Sequence, residues 1–196
     1  MSHDPHNRIN GHVSLVEYNH HGGVTHYASN YTMRYYLKEL REKPSYKVVH
    51  LSSILFDVER LKTLREEMTV DDSLMSNIQV AQTLSLSQIL ITLKQLKYIP
   101  QCIILEDLDE AFNVSMFEDQ RKSGRIMIEI IKHIRDISQN HLTTVIITQR
   151  KPRQSIGLHR VSSLLRNMMD NQILIDGDNV QIDSIYDDID VFLNAK

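Results

Sequence analysis

Four carboxylates follow one strongly apolar segment and form a dense cluster of side chains able to bind a metal ion or a partner. The segment is QCIIL at 101–105, and the acids after it are Glu106, Asp107, Asp109 and Glu110. Ligands of open α/β sheets bind beyond the carboxyl ends of the strands, and carboxylates there can hold magnesium. The same acids could instead face a partner protein, or form a solvated turn after the strand. The residues alone leave these three interpretations open.

A second group of candidate ligands is formed by His20, His21 and His26, close to the amino terminus. A zinc site needs three or four protein ligands in a closed geometry. The one cysteine, Cys102, belongs to the apolar segment 101–105 and is expected to be buried in a strand. We therefore interpret the histidines as residues of a loop and expect no metal site.

Two groups of basic residues are candidates for contacts with the phosphates of DNA. They are Arg121, Lys122 and Arg125 in the first group, and Lys151, Arg153, Arg160 and Arg166 in the second. Phosphate contacts supply most nonspecific affinity for DNA, so weak binding to single strands is left open. The segment that contains the second group has no Phe, Tyr or Trp, so base stacking is not indicated. The net charge of −3 argues against a strongly basic DNA-binding protein.

The composition is that of one intracellular globular domain. Of the 196 residues, 41% are hydrophobic and 24% charged, values typical of folded chains. Residues 1–11 are polar and contain no apolar signal segment, so we interpret them as a flexible tail and 12–196 as a single core domain. No apolar stretch has the roughly 20 residues of a membrane helix. A single cysteine forms no internal disulfide, which suits a reducing compartment.

Alternating strand-like and helical segments predict an α/β fold whose mostly parallel sheet is covered by helices on both faces. Strand patterns occur at 12–18, 46–51, 77–80, 101–105, 143–148, 171–176 and 179–185. Helical spacing of apolar residues occurs at 27–41, 57–68, 85–96 and 121–139. In the second helix we expect Val58, Leu61 and Leu64 to face inward. Gly177 and Asp178 predict a turn that makes the last two strands an antiparallel hairpin.

Five segments resemble, in the same order, the ATPase core of the RecA/RadA strand-exchange recombinases, particularly their eukaryotic paralogues. They are FDVERL at 56–61, SNIQVAQTL at 76–84, CIILEDLDEAF at 102–112, VIITQ at 145–149 and DSIYD at 183–187. The third resembles the Walker B strand, with Glu106 or Asp107 at its acidic end and Asp109 just beyond. The fourth resembles the strand that ends in a nucleotide-sensing glutamine, here Gln149. The resemblance implies a RecA-like P-loop ATPase core.

The chain departs from this family at the residues that bind and hydrolyse ATP. The family's phosphate loop, G-x-x-x-x-G-K-[ST], cradles phosphates with backbone amides, a lysine and a hydroxyl that holds magnesium. Aligned on Gly22, the chain has Tyr27 at the second glycine, Ala28 at the lysine and Ser29 at the hydroxyl. Ser53 stands at the catalytic glutamate and cannot act as a carboxylate base. We expect no ATPase activity, no bound cofactor and a degenerate phosphate loop that contains Gly22, Gly23, Ala28 and Ser29.

The resemblance implies a non-catalytic recombinase paralogue that acts through partners in the nucleus. Such a protein would pair with a second paralogue and bind or stabilise the recombinase filament on single-stranded DNA, during homologous recombination and double-strand break repair. The family's two DNA-binding loops lie where the two basic groups occur, although the second loop is shorter here. Two alternatives stay open. They are a non-catalytic subunit of another P-loop ATPase assembly and a divergent ATP-binding protein that uses Ser29, Asp107 and Gln149.

Overall fold

The main elements of the described chain are seven strands and five α-helices. The computed structural model describes residues 11–19, 26–151, 165–176 and 179–184. Outside these ranges lie residues 1–10 of the proposed tail and several residues discussed above, namely His20, His21, Gly22, Gly23, Arg153, Arg160, Gly177 and Asp178.

Strands and helices alternate along the chain in the predicted order. The strands are β1 (Val13–Tyr18), β2 (Val48–Ser52), β3 (Ile78–Gln82), β4 (Cys102–Glu106), β5 (Thr144–Arg150), β6 (Asn171–Asp176) and β7 (Asn179–Ser184). The helices are α1 (His26–Glu42), α2 (Val58–Glu67), α3 (Leu86–Lys94), α4 (Leu108–Glu118) and α5 (Gln120–His141), and a 3₁₀-helix spans Asp72–Asn77. All seven predicted strands and four predicted helices are confirmed, whereas α4 and the 3₁₀-helix were not predicted.

The sheet has the order β3-β2-β4-β5-β1-β6-β7. The first six strands in this order are parallel, and β7 pairs with β6 as the predicted antiparallel hairpin. The parallel strands therefore end together at one edge of the sheet, the carboxyl edge, and begin at the opposite amino edge. After β1 the chain continues to β2, which lies on one side of β1 in the strand order, and after β5 it continues to β6, which lies on the other side. Such a reversal opens a crevice at the carboxyl edge.

Successive side chains of a strand point to opposite faces of the sheet, and the central strands are apolar at most positions. Both faces of the sheet are therefore buried. In β4, Cys102 and Ile104 pack with α1 and α2, while Ile103 and Leu105 pack with α3, α4 and α5. The two helical layers thus cover a continuous sheet. This arrangement confirms the predicted α/β class and the helices on both faces.

The helix faces follow the apolar spacing with one exception. Met127, Ile130, Ile131 and Ile134 of α5 are all buried, as their spacing predicts. In α2, Leu64 is buried but Val58 is 51% exposed, so the prediction that Val58 faces inward is wrong. Val58 is the first residue of its helix and lies at the carboxyl edge, where the described residues do not cover it.

Candidate functional site

The carboxylate of Glu106 is the centre of a buried polar cluster at the carboxyl edge. Glu106 is the last residue of β4 and is only 3% exposed. Its Oε1 accepts a hydrogen bond from Ser29 Oγ on α1, and its Oε2 accepts one from Ser52 Oγ at 2.6 Å. Nε2 of His50 lies 3.2 Å from the same Oε2. The cluster therefore joins the first turn of α1 to two neighbouring strands.

The ring of His50 belongs to this cluster and packs against two aromatic rings. Its centroid lies 4.8 Å from the ring of Phe56 and 5.9 Å from that of Tyr36, both edge-on. Burial acts to raise the pKa of Glu106. The hydrogen bond and charge of His50, with the hydroxyls of Ser29 and Ser52, outweigh it and hold this pKa below its ordinary value. Glu106 is therefore an ionised group at neutral pH.

Asp107 connects three strands just above this cluster. Its backbone is left-handed (φ 53°, ψ 52°), a conformation that aspartate tolerates better than most residues. Tyr18 Oη donates to Asp107 Oδ1 at 2.5 Å, and the N–H of Asp107 donates to Thr148 Oγ1 at 2.9 Å. Burial raises the pKa of Asp107 to about 7, helped by the charges of Asp109 and Glu106 and opposed by the Tyr18 hydrogen bond.

Asp109 and Glu110, in the first turn of α4, both pair with Arg150. Nε of Arg150 lies 3.1 Å from Asp109 Oδ2, and its Nη2 contacts Glu110. Burial raises the pKa of Asp109, and the charge of Arg150 acts against it. Glu106, Asp107 and Asp109 are 3%, 4% and 6% exposed, so they form neither a solvated turn nor an acidic surface patch. Each carboxylate is bonded to a donor of its own chain, and the contact of these residues with a partner stays a prediction.

Gln149 lies on the opposite face of the sheet from Glu106. Its Nε2 donates to Glu17 Oε1 at 2.9 Å, and Glu17 also accepts from Arg166 Nε at 2.9 Å. Alternation along β1 and β5 places Glu17 and Gln149 on the face of α3 to α5, whereas Glu106 is on the face of α1 and α2. The structure thus separates Gln149 from Glu106. Of the second basic group, Arg166 is paired in this way and Lys151 is exposed beyond β5.

A cavity of about 430 Å³ opens beside Glu106 at the carboxyl edge. Its walls are Ser29, Glu106 and the segment that leads into α2, with Ile54, Leu55, Phe56, Asp57, Val58 and Glu59. Leu55 is 83% exposed, which makes the rim apolar together with Val58. Three of the described lining side chains are carboxylates, and none of the lining residues that the structure describes is basic. A phosphate group would meet negative charge here.

The first basic group lies on the surface at the start of α5, where Arg121, Lys122 and Arg125 are exposed. The side chain of Asp119 caps this helix and accepts the N–H groups of Arg121 and Lys122 at 3.0 Å each. None of the three cations forms an ion pair with the described part of the chain. Phe117, four residues before Arg121, is 93% exposed. An exposed aromatic ring combined with cations suits single-stranded nucleic acid, and sequence reasoning missed Phe117.

Neither a metal cluster nor a membrane span is found in the described residues. Within 11–19, 26–151, 165–176 and 179–184, no three His, Cys, Asp or Glu side chains are grouped so as to hold a metal ion. In the same ranges no helix combines the length and apolarity needed to cross a membrane. Cys102, whose burial was predicted, is a free cysteine within β4 with no exposed surface.

Comparisons with known proteins identify the fold. No protein-family model and no curated protein matches the chain. A solved structure of a KaiC-like protein from the hyperthermophilic archaeon Pyrococcus horikoshii matches with a TM-score of 0.61 at 12% sequence identity, over 91% of this chain and 81% of that one. The parallel sheet and the predicted order of elements agree with this match. The chain has a RecA-like core.

The positions that would serve ATP in a RecA-like core carry residues that serve the chain itself. Ala28, at the position of the phosphate-loop lysine, is 2% exposed and packs in the core of α1 and α2. Ser29, at the expected position of the loop hydroxyl, donates to Glu106 rather than to Asp107. Ser53, at the position of the catalytic glutamate, is buried, and its Oγ has no hydrogen-bond partner among the described residues.

Four residues that hold the site together were missed by sequence reasoning, namely Glu17, Tyr18, His50 and Ser52. Each is a polar residue in a largely apolar strand, in HVSLVEY at 12–18 and KVVHLS at 47–52. Buried polar groups are hydrogen-bonded in folded proteins, so a polar residue in such a strand requires a partner. A polar residue in an apolar strand was therefore the sequence feature that could have indicated these four residues, although it does not identify their partners.

We expect the variant Asp107→Asn to change how the free energy of unfolding depends on pH. The pKa of Asp107 is raised to about 7 from 3.8, so between about pH 4 and pH 7 the folded chain keeps a proton that the unfolded chain releases. This contribution to stability is complete below the unfolded pKa and is lost as the pH rises through the folded one. Asparagine keeps an Oδ1 acceptor for Tyr18 and cannot ionise.

The measurement is denaturant unfolding of both proteins at about pH 4.5 and pH 8. The free energy of the variant relative to the parent should rise toward the higher pH by on the order of 3 kcal/mol. Tyr18→Phe is the opposing variant, since it removes the hydrogen bond that favours the ionised carboxylate and should steepen the loss of stability. A difference between Asp107→Asn and the parent that is equal at both pH values would contradict this account.

Proposed function

We propose that this chain is a recombinase-paralogue accessory factor for homologous recombination and double-strand break repair. It pairs with a second paralogue in the nucleus and binds or stabilises the recombinase filament on single-stranded DNA. The observation that carries the proposal is a RecA-like core in which Ala28, at the expected position of the phosphate-loop lysine, is buried and uncharged. The five segments that resemble recombinases favour this family over other RecA-like proteins.

The proposal includes no catalysis, because the residues that would bind the phosphates and orient the attacking water are replaced. ATP binding needs cations around the phosphates, and hydrolysis needs a residue that orients the attacking water. Ala28 supplies no charge, and Ser53 supplies no carboxylate. What the core retains is a rigid sheet with surfaces available for protein and DNA contacts.

We expect the purified chain not to bind Mg-ATP. Isothermal titration calorimetry should give heats equal to those of dilution, because the described lining of the cavity beside Glu106 has three carboxylates and no cation. A RecA-like protein with an intact phosphate loop, titrated under the same conditions, is the positive control. A saturable signal that disappears in Ser29→Ala would instead support the divergent ATP-binding protein.

Identification of stoichiometric companions tests the proposed function directly. The chain is tagged, purified from its native cells at low salt after nuclease treatment, and its companions are identified by mass spectrometry. We expect a recombinase and a paralogue that has an intact phosphate loop. Companions from an unrelated P-loop machine would favour the alternative of a non-catalytic subunit in another assembly. A chain without companions would contradict both functions and leave only the fold.

Direct DNA contact is expected at Phe117 and the start of α5. The triple variant Arg121→Glu, Lys122→Glu and Arg125→Glu should weaken binding to single-stranded oligonucleotides and flatten its dependence on salt, because fewer counterions are released. Phe117→Ala should weaken binding about 5- to 100-fold with an almost unchanged salt slope, since stacking rather than charge is removed.

The matched control changes three exposed lysines at the amino edge by the same total charge. These are Lys43, Lys47 and Lys97, each replaced by Glu. Fluorescence anisotropy over a salt series compares the variants, with circular dichroism to establish that all are folded. Equal losses in the control and the α5 variant would show that net charge alone acts, and would contradict a DNA site at α5.

A further inference from the structure

We infer that the cavity beside Glu106 is a docking site for an arginine or lysine side chain that a partner protein presents on an apolar segment. The cavity lies at the carboxyl edge, between the first turn of α1 and the segment that leads into α2. This inference rests on the proposed function, because it names the surface and the partner chemistry through which the pairing takes place.

The shape of the cavity suits the insertion of a side chain. Its volume of about 430 Å³ is in the range of sites that enclose ligands. Glu106 and Ser29 form its buried part, and Leu55 and Val58 stand at its rim with 83% and 51% of their surfaces exposed. A group that enters from solvent therefore passes two aliphatic side chains before it reaches a carboxylate.

The charge of the lining favours a cation. Asp57, Glu59 and Glu106 contribute three carboxylates, and within the described part of the chain no lining residue is basic. The carboxylate of Glu106 already has contacts from Ser29, Ser52 and His50. A carboxylate accommodates about four donors, so one further hydrogen bond can be accepted. Burial strengthens the attraction of a cation for this charge relative to the same pair in water.

The basic residues nearest in the chain do not neutralise the cavity. Arg60 Nε donates to Asn30 Oδ1 at 2.6 Å, and its backbone N–H is capped by Asp57 at 2.8 Å. Lys62 Nζ lies 2.8 Å from Glu59 Oε1, but the two side chains are 58% and 82% exposed, and such a pair contributes little. Neither of these two basic residues contacts Glu106, which lines the cavity and is bonded by Ser29, Ser52 and His50.

The combination of an acidic interior and an apolar rim selects the occupant. Arginine and lysine carry a charged tip on an apolar stem, so one side chain matches both parts of the cavity. A metal ion or a free amine would leave Leu55 and Val58 exposed to water. A nucleic acid would bring phosphates toward carboxylates. A protein segment covers the apolar rim and supplies the cation. Arginine is also one of the residue types that contribute most binding energy at protein interfaces.

The first part of the test identifies what touches the rim. A photo-crosslinking amino acid replaces Leu55 in the full chain, expressed in its native cells, and crosslinked peptides are sequenced. We expect a peptide in which an arginine or lysine has apolar neighbours. The control position is Leu142, which is 61% exposed before β5 at the amino edge and should give at least about tenfold less of this peptide.

The second part tests the charge of the cavity by recovery of the companion. Val58→Lys places an ammonium group at the rim, where it repels the incoming cation, and should lower recovery at least about tenfold. Leu142→Lys adds the same charge at the other edge and should leave recovery unchanged. Thermal unfolding of both variants shows that each is folded, and a folded Val58→Lys variant with parental recovery overturns the docking site.

The outcomes separate the docking site from the proposed function. A recombinase-family companion whose crosslinks lie only outside the rim overturns the docking site and leaves the function standing. A basic apolar peptide from a protein of another class supports the docking site and overturns the function. Crosslinks from Leu55 to nucleic acid, to an acidic segment or to nothing overturn the docking site.

Discussion

The ionised carboxylate of Glu106 is buried at the end of a strand, and a buried charge without partners costs far more free energy than a domain of this size can lose. Its three partners come from two elements, with Ser29 on α1 and His50 and Ser52 on β2. The first turn of α1, the end of β2 and the end of β4 are consequently held at one point. The remaining features of the carboxyl edge are arranged around that point.

Around this centre the neighbouring polar residues also serve the protein rather than a ligand. Tyr18 and Thr148 bind Asp107 on one face of the sheet, while Gln149 binds Glu17 on the other. These polar groups bond to one another. Exposed groups lie further out, at the apolar rim of the cavity and at Phe117 and the cations of α5.

Sequence patterns predicted most of the framework because burial of apolar surface acts through periodicity. The four residues on one face of α5, from Met127 to Ile134, are buried at the expected spacing, and β4 is buried on both faces. Helix α4 was missed for a physical reason. Its buried positions Leu108, Ala111, Phe112 and Ser115 include a serine, while Phe117 is apolar and exposed, so the apolar stripe is blurred. The acids before it suggested a turn for the same segment.

The sequence by itself determined the α/β class and the order of elements, and its resemblance to recombinases predicts that the lysine and the glutamate of ATP hydrolysis are replaced. These depend on residue type and on local spacing, which a linear chain displays. Only the tertiary structure decided that Ser29 bonds to Glu106 rather than Asp107, that the acidic cluster is internal, and that Gln149 lies on the other face of the sheet. Those facts depend on pairings between residues as far apart in the chain as Glu17 and Gln149. Such pairings exist only once strand order and side-chain alternation place both partners at one edge.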